Sequence, residues 1–149
     1  SLEIGGRYRE RLATAGCCYD DARMTNPIEE KQTMPITGKW IFTAAMDVDP
    51  DKEALFNQVY DEEHIPIIKK VPGVISVTRL KLDTLRMAMG GETKTMDPQG
   101  APRYAAIYEL ESPDVLTSPA FAKAVDQGRW STQVRPYTRN RHHTLHKVM

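Results

Sequence analysis

Hydrophobic and polar positions change period several times along this chain, and each change marks an element. Trp40 to Val48 (WIFTAAMDV) is rich in aromatic and β-branched residues and reads as a strand. Asp49-Pro50 then supplies an N-cap and a first helical residue, with Asp51 and Glu53 in the first turn. Leu55, Phe56, Val59 and Tyr60 fall at helical spacing and form one apolar stripe. His64 follows Tyr60 by four residues and so projects from that stripe. Pro66 has no N–H, so the helix is predicted to end or kink near Ile65, with Ile67-Ile68 adding one more apolar turn before Lys69-Lys70. Val71-Pro72-Gly73 punctuates, and residues 74–82 alternate as a second strand.

Residues 83–102 form a long connection in which Gly90-Gly91, Pro98, Gly100 and Pro102 argue against regular structure through the second half. It reads either as a lid, with Met87, Met89 and Met96 as adaptable apolar contacts, or as a long hairpin tip. Residues 103–110 alternate again, with Tyr104, Ala106, Tyr108 and Leu110 on one face. Ser112-Pro113 and Ser118-Pro119 each cap a short helix, Gly128 closes the second, and residues 134–148 supply a last strand interrupted near Pro136.

Strand–helix–strand–strand–helix–strand is the split pattern of a ferredoxin-like α+β unit: a four-stranded antiparallel sheet with both helices on one face. Nothing in residues 39–149 is left over to cover the other face, so a homodimer through the sheet faces is expected. Residues 1–38 differ: Arg7, Arg9, Glu10 and Arg11 crowd a short segment, and the remainder has no sustained apolar period. They read as an N-terminal arm, either an undocked tail or a partner-wrapping segment, and Met24 or Met34 could serve as the translation start.

Composition narrows the function classes. Twenty basic and twenty acidic residues cancel, which gives no field of one sign to draw the chain to nucleic acid or membrane. Adjacent Cys17 and Cys18 suit neither an ordinary disulfide nor a zinc site, and a reducing, cytoplasmic setting is expected. His142 and His146 share a strand face but lie about 13 Å apart along an extended strand, too far to chelate one ion, so no metal site is expected. There is no Gly-rich phosphate loop and no nucleophile elbow, and no cofactor is expected.

The run Phe56-Asn57, Tyr60-Asp61, Glu63-His64-Ile65-Pro66, then Val71-Pro72-Gly73-Val74 and Arg79, resembles the dimeric α/β-barrel superfamily, and within it EthD-like and related small bacterial proteins. Tyr108-Glu109-Leu110-Glu111-Ser112, Ser118-Pro119 and Gly128-Arg129-Trp130 extend the resemblance, which spans residues 39–149. It implies a pocket between sheet and helices and a small-molecule ligand. Cofactor-free monooxygenases, isomerases and cyclases occur in that superfamily, and in its cyclase-like members a histidine on the first helix serves as base.

His64 matches that helix position and is the candidate general base, because a neutral imidazole accepts a proton readily near neutral pH. Tyr60 is its candidate catalytic partner, and Phe56, Tyr104, Tyr108 and Ile68 are candidate substrate-binding walls. The function expected is a cofactor-independent enzyme acting on a small apolar cyclic or aromatic substrate. The alternative is a non-catalytic carrier or sensor built on the same pocket. Glu62 and Glu63 are expected to solvate the helix.

Overall fold

The computed structural model describes residues 36–149. The expected N-terminal arm, Ile36, Thr37 and Gly38 excepted, lies outside them. The main sheet consists of β1 (Trp40–Val48), β2 (Val74–Lys81), β5 (Tyr104–Leu110) and β6 (Thr138–Lys147), in the order β2-β5-β1-β6 with every pair antiparallel. This is the ferredoxin-like arrangement predicted from the order of elements.

Alternation decides which side chains meet the helices. Ala44, Met46 and Val48 of β1 and Tyr104, Ala106, Tyr108 and Leu110 of β5 are all buried. On the outer face Ile41, Thr43, Ala45, Ala105 and Ile107 are half-buried, and no second layer covers them among the described residues. The carboxylate of Glu109, also on that face, accepts hydrogen bonds from the backbone N–H groups of Thr37 (2.7 Å) and Gly38 (2.8 Å) and from Ser76 Oγ (2.9 Å). Burial alone would raise its pKa, but these donors hold it below the usual glutamate value.

The first helical run continues through Pro66 and makes the further apolar turn expected at Ile67-Ile68, but it does not end near Ile65. A 3₁₀ turn (Pro50–Lys52) leads into α1 (Glu53–Val59), a π-helical segment (Tyr60–His64) and α2 (Ile65–Ile68) without a break. Pro66 therefore does not end the helix. A proline leaves a carbonyl unpaired one turn back, and the chain accommodates it by widening: the N–H of Ile65 bonds to the carbonyl of Tyr60, five residues away. Asp49 occupies the predicted N-cap position, but its side chain makes no capping bond and reaches Arg139 at 3.4 Å instead.

The second helical layer follows its caps. Ser112 Oγ accepts from the N–H of Asp114 at a 3₁₀ turn, and Ser118 Oγ accepts from Phe121 at the start of α3 (Pro119–Asp126). Gly128 then adopts φ +70°, and a Cβ there would lie 2.7 Å from Glu63 Oε2, so glycine is required by conformation and by space. Residues 134–137 are not strand: a second π-helical segment (Trp130–Val134) and a 3₁₀ turn (Arg135–Tyr137) precede β6, which starts at Thr138. Pro136 cannot donate to a sheet ladder, which delays the strand until after it.

Residues 83–102 fold into a two-stranded hairpin, β3 (Leu85–Met89) and β4 (Glu92–Met96), turned at Gly90-Gly91 with φ of 61° and 82°. Positive φ at both central residues is the requirement of a type I′ hairpin turn, and the glycine pair meets it. The irregular second half expected from sequence is confined to residues 97–102.

Candidate functional site

Two clamps position the first helical run, one against the sheet and one against the turn after α3. Arg79 of β2 donates from Nη1 to Asp61 Oδ1 (2.9 Å) and from Nη2 to Asn57 Oδ1 (2.7 Å), and its guanidinium lies 4.7 Å from the ring centroid of Tyr60. The second clamp uses Glu63, which was expected only to be solvated. Its carboxylate accepts from the N–H of Arg129 (3.0 Å) and from Arg129 Nε (2.6 Å), tying the turn after α3 to the π-helical segment and lowering the Glu63 pKa. Packing accounts for much of this run of residues: Asn57, Asp61, Glu63, Arg79, Gly128 and Arg129 hold elements together.

What these clamps align is a pair of rings. Trp130, the residue after Arg129, stacks on His64 with centroids 4.4 Å apart and planes 23° apart. Tyr60 meets both edge-on, at 5.1 Å from His64 and 5.0 Å from Trp130. Each of the two π-helical segments contributes one of the stacked rings, and such bulges recur at functional sites because they re-aim side chains that a regular helix would carry past.

Beside these rings is a cavity of about 220 Å³ between the sheet and the second helical layer. Phe42, Ala44 and Met46 of β1, Tyr108 of β5, and Tyr60 and His64 form its inner wall, and Phe121, Val125 and Trp130 close one side. Thr138, Arg141 and His143 of β6, with Arg135, form its rim. The Tyr60 and Tyr108 hydroxyls lie 2.9 Å apart and are buried. Burial raises the Tyr60 pKa well above the tyrosine range, and the neighbouring Tyr108 pushes it further. The Tyr108 pKa is raised as well, chiefly by burial. Both phenols stay neutral, so one of the two hydroxyl protons is available to a ligand oxygen.

His64 is 4% exposed, and its pKa is lowered to about 4, mainly by burial and further by the charge of Arg135. At neutral pH the imidazole is uncharged. Its Nδ1 is enclosed and has no hydrogen-bond partner among the described residues, so only Nε2 can meet a ligand directly.

The candidate residues read from sequence divide accordingly. His64, Tyr60 and Tyr108 come together on the cavity wall. Phe56, Tyr104 and Ile68, expected as substrate-binding walls, do not reach it. Phe56 and Ile68 are fully buried in the core, and the Tyr104 hydroxyl is bound to Glu53 on the far side of the helix. Phe56 lies one turn before Tyr60 and Ile68 one turn after His64, and both are taken up by the core. The residues missed were Phe42, Phe121, Trp130, Arg135, Arg141 and His143. Trp130 had a signal, because it closes the Gly-Arg-Trp motif. The others are brought in by long-range pairing, as when Phe42 and His143 meet across β1 and β6 at 5.7 Å. The hairpin contributes nothing to this wall, which disfavours the lid reading.

No protein-family model matches the chain, and the search of curated proteins gives no match. Among solved structures it is similar to an EthD-family protein of Bacillus halodurans, with 12% identity, a TM-score of 0.46, and 74% of this chain and 99% of the other covered. It is also similar to the heme-degrader MhuD of Mycobacterium tuberculosis with two hemes bound, with 13% identity, a TM-score of 0.49, and 74% of this chain and 95% of the other covered.

Proposed function

We propose that the cavity is the active site of a cofactor-independent enzyme acting on a small cyclic or aromatic carbonyl-type substrate. His64 takes up a proton at Nε2, and the Tyr60–Tyr108 pair donates a hydrogen bond to the substrate oxygen. The observation that carries this reading is an uncharged imidazole held by ring stacking in a ligand-sized recess beside two neutral phenols. Two copies pair through the outer sheet face, where Ile41, Ile107 and Leu80 lack a covering layer among the described residues.

One observation favours a second reading. With Nε2 as the proton acceptor, the neutral ring carries its hydrogen on Nδ1, where it is enclosed and unpaired at a cost of about 1–3 kcal/mol. The other tautomer leaves only a lone pair enclosed and presents Nε2–H to the ligand as a donor. A carrier or sensor needs no more than that donor. A thermal-shift screen of aromatic and lactone compounds finds a ligand under either reading, and turnover of that ligand separates them. Tight binding with no turnover would retire the enzyme in favour of the carrier, and a screen without a stabilising compound would retire both.

A further inference from the structure

The cavity is uneven in charge. Its inner wall is aromatic and aliphatic, its rim carries Arg135, Arg141 and His143, and no carboxylate lines it among the described residues. The two arginines are not equivalent. Arg135 donates from Nη1 to Asp126 Oδ1 (2.8 Å) and from Nη2 to the carbonyl of Val125 (2.6 Å), so a carboxylate already offsets its charge. Arg141 donates from Nε (2.9 Å) and Nη2 (2.7 Å) to Thr138 Oγ1, and from Nη2 to the carbonyl of Arg135 (2.8 Å). These acceptors are neutral. They fix the guanidinium at the rim without cancelling its charge, and they leave Nη1 uncommitted among the described residues. Arg141 takes part in no salt bridge among those residues.

We propose that the ligand is a flat aromatic acid, its ring system against Trp130, Phe42 and Tyr108 and its anionic oxygens on Arg141. The inference rests on the cavity being the ligand site. A planar guanidinium held by its own residue's neighbours is pre-organised for a carboxylate, and an oriented donor loses less entropy on binding than a free one. A volume of about 220 Å³ lies below the usual range for drug-sized ligands, which limits the aromatic part to one or two rings. The negative group would also oppose the field of Arg135 at His64, moving the imidazole toward greater basicity when substrate is present.

Calorimetric titration of the full chain with 1-naphthoate and with its neutral counterpart 1-naphthamide tests this. The acid is expected to bind about tenfold or more tightly than the amide, the scale of one charge-assisted hydrogen bond from the uncommitted Nη1. Arg141→Gln should reduce that ratio to within about threefold, and added salt should lower it in the wild type. Arg103→Gln, in the separate crevice at the base of the hairpin, should leave the ratio unchanged. Equal affinities for acid and amide in the wild type would overturn the proposal while leaving the cavity a ligand site. A preference that survives Arg141→Gln, or that is lost in Arg103→Gln, would overturn it too, by placing the anion elsewhere. Binding of neither compound would sink the proposal together with the reading on which it rests.

Discussion

Two of the recesses among the described residues contrast, and the larger is the poorer in chemistry. The crevice between the hairpin and the neighbouring loops encloses about 500 Å³, more than twice the volume beside His64. Its walls, among them Leu82, Leu85, Met96 and Pro98, are mostly exposed, and they bring no buried ionisable group to bear on a ligand. The smaller recess is floored by buried rings and holds an imidazole whose pKa is lowered to about 4, chiefly by burial. Volume in the first comes from two loosely joined elements failing to meet. In the second it is kept open by residues that are themselves tightly placed, and placement is what converts space into reactivity.

The contrast can be broken by mutation, and the largest effect belongs to His64. Once a turned-over ligand is known, His64→Ala should abolish kcat while its affinity stays within about tenfold, as for a group that acts in the transition state only. Retained turnover with a lowered melting temperature would make the histidine a structural residue. Next comes Trp130→Ala, which removes the ring stacked on His64 from a site only 5% exposed. A loss of about 3–5 kcal/mol is expected in urea unfolding. Truncating Leu85 at the hairpin serves as the comparison.

A third difference lies in pH. The unfolded chain protonates His64 near 6.5 and the folded chain only near 4, so between those values the unfolded state binds more protons. Stability should therefore fall as pH drops from 6.5 to 4, by on the order of 3 kcal/mol from this residue. His64→Leu should flatten that part of the profile, measured by denaturant titration at each pH. An unchanged slope would mean that the imidazole is less shielded than its surroundings suggest. The smallest effect is expected at the hairpin: replacing residues 85–96 by a short turn should alter ligand affinity by less than about twofold, since none of the cavity wall lies there.

Much of the architecture was legible because strands and caps are local signals. Aromatic and β-branched residues marked residues 40–48, alternation assigned the faces of residues 76–82 and 104–110, and Ser112, Ser118 and Gly128 marked helix ends through chemistry that operates within four residues. The site was legible where it coincided with the helical stripe, at Tyr60 and His64, and with the alternation of β5, at Tyr108. Pro66 announces a missing hydrogen bond, but whether a helix then stops or widens is decided by what packs on it, here the ring of Trp130 and the Glu63–Arg129 clamp. Trp130 lies 66 residues beyond His64, and no period in the sequence links them. The rim residues Arg135 and Arg141 required the pairing of β1 with β6 to be known first.

The widened turn at Tyr60–His64 has a consequence for how such a chain can vary. A π-helical bulge amounts to one residue more than a regular helix needs over the same span, and each residue in a regular helix advances the side chain by about 100°. Deleting exposed Glu62 would let the helix run regularly. Everything on one side of the deletion would then rotate by that angle relative to the other, so that His64 could face the cavity only if Phe56 and Tyr60 left the core. In genetic terms, a single in-frame codon separates a helix that merely covers the sheet from one that carries an imidazole into it.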